Sequence, residues 1–158
     1  MKKIIISAIS KNNVIGSNNG IPWENEEELK FFKKTTLKHA VLMGRKTYDS
    51  IGKPLSERFN LVLSRSEKDS DMLHQLFYFT SISQALEYAE NLEVKKTYII
   101  GGSEIYSQLI NEVDELLISR LPFERDGDKI FPEISSKVWE LVENIRYDSF
   151  TVERYSKI

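Results

Sequence analysis

Tyr98-Ile99-Ile100-Gly101-Gly102-Ser103-Glu104-Ile105-Tyr106 is the stretch on which the reading of the fold turns. A short Ile-rich run that stops at glycine reads as a buried strand. Helical spacing resumes directly after the glycines, and a strand feeding a helix is one step of an α/β fold. Without a Cβ, the paired glycines let a ligand approach the backbone closely. A plain tight turn with Ser103 as helix cap accounts for the same residues. The G-x-G-x-x-G fingerprint is absent, so an ordinary Rossmann site is unsupported.

The same rhythm extends in both directions. Strands are expected at Ile4–Ile9, Ala40–Met43, Asn60–Ser64, Phe77–Phe79, Thr97–Ile100, Leu116–Arg120, Trp139–Tyr147 and Phe150–Tyr155. Helices are expected between them at Glu26–Thr36, Arg45–Ile51, Ile82–Glu90 and Ser103–Ile110. The alternation predicts a mainly parallel sheet in one α/β domain spanning residues 1–158. Arg146-Tyr147-Asp148-Ser149 reads as a hairpin turn, which makes the C-terminal strand antiparallel to its neighbour. Ligands of open α/β sheets gather at the carboxyl ends of the strands.

Two further junctions lie at such ends. In Leu42-Met43-Gly44-Arg45-Lys46-Thr47 an apolar strand meets glycine, and a helix then opens with two cations and a hydroxyl. A helix start carrying cations suits a phosphate. A solvated basic helix start is the plainer alternative, and no Walker A loop is present. Leu63-Ser64-Arg65 offers a hydroxyl and a guanidinium for a second phosphate, or simply a surface Arg. Together these junctions fit an extended anionic ligand, such as a dinucleotide with an extra phosphate.

The first helix opens on Asn25-Glu26-Glu27-Glu28-Leu29. Asn25-x-x-Glu28 matches a capping box, which would give Glu28 a purely local role. Helical geometry offers another role. At about 100° per residue, Glu28 stands about 40° from Phe32 and borders the apolar stripe. A carboxyl there is costly to ionise, so its pKa rises, and it can serve proton-coupled chemistry or grip a flat amidine-like heterocycle.

Composition narrows the classes. The 22 Lys+Arg against 24 Asp+Glu leave a net charge of −2, which argues against a nucleic-acid partner. With no Cys there is neither a disulfide scaffold nor a thiolate nucleophile. The two His, without an HExxH pattern, lead us to expect no metal. His39 and His74 are expected in structural or solvent roles. No run approaches the roughly 20 apolar residues of a membrane span. Ser7, Ser10 and Lys11 interrupt the apolar start, so it reads as a buried strand rather than a leader, and a cytoplasmic protein is expected.

The order of motifs resembles dihydrofolate reductase of the bacterial, single-domain kind. The carriers are Val14-Ile15-Gly16, Ile21-Pro22-Trp23, Met43-Gly44-Arg45-Lys46-Thr47, Ser50-Ile51-Gly52, Ile100-Gly101-Gly102 with Ile105-Tyr106, and Gly127-Asp128 with Phe131-Pro132. The resemblance implies an eight-stranded sheet flanked by four helices, binding NADPH and a folate as a monomer. It implies reduction of 7,8-dihydrofolate to tetrahydrofolate for one-carbon metabolism, and a target for antifolates. Glu28 stands where that family keeps its active-site carboxylate. Ile6, Ala8, Leu29, Phe32, Ile51, Leu55 and Ile100 match its pterin and benzoyl site, and Arg58 matches the Arg that holds the glutamate carboxylate. Gly44, Arg45, Lys46, Thr47, Gly101, Gly102, Ser103 and Ile105 match the cofactor phosphate site. Leu63, Ser64 and Arg65 match the 2′-phosphate side, hence NADPH. Ala8, Ile15, Gly16 and Ile100 are also implied in cofactor binding, and Tyr106 in catalysis near the nicotinamide and the hydride path. A cis peptide is implied between Gly101 and Gly102. The family's lid corresponds to residues 10–24, where Ile21 would close over the nicotinamide, and Ile21 and Trp23 are both implied in catalysis.

The sequence also departs from the family pattern. Glu28 replaces the Asp usual in bacteria, Ser119 a Thr that helps hold carboxylate and pterin, and Ser103 a common third glycine. Lys129-Ile130 fills a variable pair before Phe131. Rival readings are a riboflavin-pathway pyrimidine reductase of the same fold, a nucleotide-binding module without catalysis, and a structural protein. Trp23, Glu28 and Arg58 favour a folate over the first. The second leaves an apolar-bordered Glu28 without purpose, and the third leaves three ligand-ready junctions unexplained.

Overall fold

The structure is a computed structural model and describes residues 1–16 and 24–158. Its frame is an eight-stranded sheet. In chain order the strands are β1 (Lys2–Ile9), β3 (Ala40–Gly44), β4 (Phe59–Leu63), β5 (Leu76–Phe79), β6 (Lys96–Gly101), β7 (Glu115–Arg120), β9 (Trp139–Arg146) and β10 (Thr151–Lys157). In space they run β5-β4-β3-β6-β1-β7-β10-β9. The contacts of β1 with β6 and β7, and of β3 with β4 and β6, are parallel. Only β10 runs against its neighbours, β7 and β9. The expected mainly parallel sheet with one antiparallel C-terminal strand is therefore what the chain forms.

Four helices lie between the strands among the described residues: α1 (Glu26–Thr36), α2 (Arg45–Ile51), α3 (Ile82–Asn91) and α4 (Ser103–Leu109). Alternating strand residues divide between the two faces of the sheet, as the period of two requires. Ile5, Ile9, Leu42, Leu61 and Ile99 join Ala85 and Ala89 of α3 and Tyr106 and Leu109 of α4 in one core. Ile4, Ile6, Val41, Met43 and Val62 form the other, against Phe31 and Phe32 of α1 and Tyr48 of α2. Each helix thus covers the face its apolar residues can reach.

Three local expectations are corrected. Ser103 is the first residue of α4 rather than its cap; Gly102 occupies the cap position with no side-chain bond. The turn before β10 extends to Phe150, so β9 stops at Arg146 and β10 begins at Thr151. Part of the region expected as lid is a strand, β2 (Val14–Gly16), which pairs antiparallel with β8 (Lys129–Ile130). Runs of three and two residues are too short for periodicity to register.

Candidate active site

The sheet brings the carboxyl ends of β1, β3, β4, β6 and β7 to one edge, while α1 packs on one face and ends at Thr36, beside Arg58 at the start of β4. The Asn25 side chain caps α1 by accepting from the Glu28 N–H at 3.0 Å. That is half of the capping box. The other half is not made: among the described residues no hydrogen bond ends on the Glu28 carboxylate, and the side chain is buried at 8% exposure. Burial raises its pKa above the ordinary carboxylate range. The nearby Ser119 hydroxyl opposes that rise. Ser119 lies close enough to favour the carboxylate as a donor, yet its buried Oγ completes no hydrogen bond among the described residues. A charge-bearing acid and an unpartnered hydroxyl side by side form a site built for a ligand with donors of its own.

Tyr106 closes the floor. Its hydroxyl donates to the Ile6 carbonyl at 2.8 Å. Burial pushes its pKa up, the Ser7 hydroxyl partly offsets this, and the Glu28 charge adds to it. Tyr106, Glu28 and Ser119 therefore occupy one neighbourhood, reached from α4, α1 and β7. Sequence reasoning passes over Ser7, since one hydroxyl in an apolar strand gives no pattern. Ile6 itself is 2% exposed, so its side chain belongs to the core. Leu29 and Ile51 are the opposite case, apolar yet 57% and 36% exposed. Ala8, Phe32, Leu55 and Ile100 are half-buried.

Arg58 is 4% exposed. Its Nε donates to the Ser56 carbonyl at 2.9 Å and one terminal nitrogen to Thr36 Oγ1 at 3.0 Å. Burial lowers its pKa, and Glu57 only partly offsets that. No carboxylate pairs with it among the described residues, which leaves guanidinium donors for an external one. The loop that carries it is held from below by Asn60, a residue the sequence does not flag. The Asn60 Oδ1 accepts from Leu55 N–H at 2.8 Å, while Nδ2 donates to the carbonyls of Leu55 and Arg58, both at 3.0 Å.

Across the sheet edge, the starts of α2 and α4 approach each other closely. A Cβ on Gly102 would lie 3.4 Å from Thr47 Oγ1, and one on Gly44 would lie 3.5 Å from the Ile105 side chain. The Gly101–Gly102 peptide is cis. Gly101 has φ +123° and faces the Tyr106 ring, 3.4 Å from where its Cβ would stand. Arg45 is bonded to Asp49 at 3.2 Å and exposed, and Lys46 is exposed beside it. Ser64 is buried at the end of β4, with Leu63 half-buried before it and Arg65 exposed after it. Ser103 and Ile105 are half-buried in the first turn of α4. Ile15 is half-buried on β2, and Gly16 ends that strand. Ile21 and Trp23 lie outside the described residues. His39 is partly buried against Tyr98, and His74 pairs with Asp71 at 2.7 Å; both stand apart from this edge. A groove of about 540 Å³ lined by Tyr78, Phe79, Thr80 and Gln84, with Glu67, Lys68 and Asp69, carries none of the acid, Arg or glycine constellation.

A family model described as dihydrofolate reductase matches residues 3–157. The dihydrofolate reductase of Haemophilus influenzae is 34% identical over 137 residues, spanning 87% of this chain and 82% of that protein. That of Mycoplasma genitalium is 36% identical over 160 residues, spanning 98% and 97%. A solved dihydrofolate reductase from Enterococcus faecalis, complexed with NADP(H) and RAB-propyl, superposes with a TM-score of 0.87 at 29% identity over 99% of this chain and 96% of that one. With that fold, and with the buried Glu28 and Ser119 near the glycine-marked strand ends, this chain belongs to the dihydrofolate reductase family.

Proposed function

We propose that this chain reduces 7,8-dihydrofolate to 5,6,7,8-tetrahydrofolate with NADPH, and that the buried Glu28 is the group around which the site is organised. The observation that carries this reading is a buried carboxyl that accepts no hydrogen bond among the described residues and has the unpartnered Ser119 hydroxyl beside it. A pterin offers a ring N–H and an amino group side by side, and a carboxylate accepts both in parallel.

The residues present fit the cofactor. The glycine cradle between Thr47 and Ile105 leaves room where any Cβ would intrude, and Arg45, Lys46, Ser64 and Arg65 provide donors and charge for phosphates. When bound, NADPH supplies the hydride received at C6 of the substrate. The chain supplies alignment and electrostatics. Glu28 and Ser119 fix the pterin, while Leu29, Phe32, Ile51 and Leu55 exclude water from its flanks and Arg58 takes the glutamate carboxylate. The negative charge of Glu28 raises the basicity of the ring it holds, and N5 gains its proton from water. Neither His39 nor His74 is near enough to deliver one. We assign a single domain over residues 1–158 and a cytoplasmic monomer as the working unit; no described helix is long and apolar enough to cross a membrane.

The test is loss of NADPH absorbance on adding dihydrofolate, for the wild type and for Glu28→Gln. Glu28→Gln lowers turnover by roughly 10²–10⁴-fold, the usual contribution of such a group. Wild-type turnover in that variant at neutral pH removes Glu28 from the reaction. NADPH binding without turnover in the wild type would favour the nucleotide-binding module instead.

A further inference from the structure

Helix α1 has two neighbouring faces with different partners. Glu28 and Phe32, four residues apart, belong to the cleft side. Glu27 and Phe31, also four apart, face the turn between β9 and β10. Glu27 Oε1 accepts from the Ser149 N–H at 2.8 Å and from the Ser149 hydroxyl at 2.6 Å. The same hydroxyl lies 3.2 Å from Asn25 Oδ1, the atom that caps α1 at the Glu28 N–H. One helical turn on, Phe31 meets Tyr147 and Phe150 edge-on, with ring centroids 5.6 and 5.9 Å away. Those two rings stack at 4.8 Å, and the Tyr147 N–H donates to the Phe150 carbonyl at 2.9 Å to close the turn.

We propose that the 147–150 turn is a clamp that fixes the first turn of α1 and so aims the Glu28 carboxyl, with Ser149 and Glu27 as positioning residues for substrate binding. This inference rests on Glu28 being the substrate anchor. Its physical basis is the poverty of the Glu28 surroundings. No hydrogen bond among the described residues holds that side chain, so its placement is inherited from the helix backbone. The backbone at that point is tied by one cap, Asn25, and by the next residue back, Glu27. Both ties converge on Ser149. The two hydrogen bonds to Glu27 lower its pKa and keep it an anion, the form that accepts them best. Around Glu27 stand Asn25 and the Ser149 and Asp148 backbone; around Glu28 stand Ser119 of β7 and Tyr106 of α4. The two carboxyls therefore titrate in separate settings and can be followed separately.

The experiment uses the full chain with Ser149→Ala, Ser149→Thr and Glu27→Gln. It reads the KM for dihydrofolate, the KM for NADPH, and the ¹³C titration of the Glu28 carboxyl, assigned by its absence in Glu28→Gln. Ser149→Ala raises the dihydrofolate KM by roughly 5- to 50-fold, in keeping with the cost of misplacement from a distance. It leaves the NADPH KM unchanged and moves the Glu28 titration toward an ordinary carboxylate as the acid swings to water. Ser149→Thr recovers both, and Glu27→Gln shifts both in the same direction by less. A clamp that only adds stability gives another result: variants that unfold more readily in urea while the Glu28 titration and the dihydrofolate KM stay as in the wild type. That result overturns the proposal. Should Ser149→Ala fail to fold, Glu27→Gln decides by the same two readouts. Failure of the anchor assignment itself is distinct, since it shows as undiminished turnover in Glu28→Gln whatever the clamp variants do.

Discussion

Glu28 costs the folded chain something, and the sign of that cost can be worked out. Burial raises its pKa in the folded state above the unfolded value of about 4.3. The folded protein then holds this proton more tightly than the unfolded one. Stability from this group is complete below about pH 4.3 and is lost as pH rises through the folded pKa. Above the folded pKa the wild type carries a desolvated charge that Glu28→Gln removes. Glu28→Gln is therefore more stable than the wild type at pH 8, by about 0.5–2 kcal/mol, the usual yield of one stabilising change. The advantage shrinks at pH 4.5. Urea unfolding of both proteins at the two pH values measures it, and a gap that is the same at both would mean Glu28 is not desolvated. A residue that weakens the fold while organising a site is expected where function sets the choice. Glu28 was legible because 100° spacing places it beside Phe32 without any knowledge of the sheet. Asn60 and Ser7 were not, because a single polar residue in an apolar strand looks the same whether it clasps a loop or points to water.

At the level of elements, the glycine junctions divide into two kinds. Gly101 has φ +123°, a region that side chains rarely adopt, although its Cβ would make only an ordinary contact with the Tyr106 hydroxyl. Gly102 has φ −81°, open to any residue, and its Cβ would make an ordinary contact with Thr47 Oγ1. Gly101→Ala consequently costs about 1–3 kcal/mol of stability, the range for a residue forced into such backbone. Gly102→Ala folds with near-native stability but fills the space between α2 and α4, and its NADPH affinity falls. Denaturation and cofactor titration on both variants check this, and equal stability losses would show that the two glycines serve the same purpose. Sequence reading placed both junctions on the page, since each is an apolar run that ends in glycine. It could not rank them. The difference lies in a backbone angle. The same limit applies to β2 and β8, whose pairing is fixed by tertiary position rather than by any period of their own.

The whole molecule separates its satisfied charges from its waiting ones. At the amino edge of the sheet, Lys2 pairs with Glu115 at 2.6 Å and Arg154 lies 3.6 Å from the same carboxylate. Toward the carboxyl edge Glu28 and Ser119 are buried without full partners, and Arg58, just before β4 begins, is buried with no carboxylate beside it among the described residues. A parallel sheet sends its strand-to-helix loops, with the free starts of the helices, to the carboxyl edge and its helix-to-strand returns to the other. It also means that ligands complete what folding leaves open. Anything that binds only the folded state stabilises it by RT ln(1 + [L]/Kd), about 2.7 kcal/mol at 100 times Kd. Oxidised cofactor, NADP⁺, and folate together give a complex that does not turn over. Each at 100 times its wild-type Kd raises the unfolding free energy by about that amount. Arg58→Ala removes a buried donor from a charge pair, a loss on the order of 2–5 kcal/mol, of which the lower end is already well over tenfold in affinity. Measured against its own ligand-free baseline, Arg58→Ala keeps the NADP⁺ increment in full. At the same folate concentration its folate increment drops to about 0.4 kcal/mol for a roughly 100-fold weaker Kd. Paired urea titrations with neither, one or both ligands separate the two terms. If the NADP⁺ increment vanishes while the folate increment survives, Arg58 serves the cofactor and the substrate half of the site lies elsewhere along this edge.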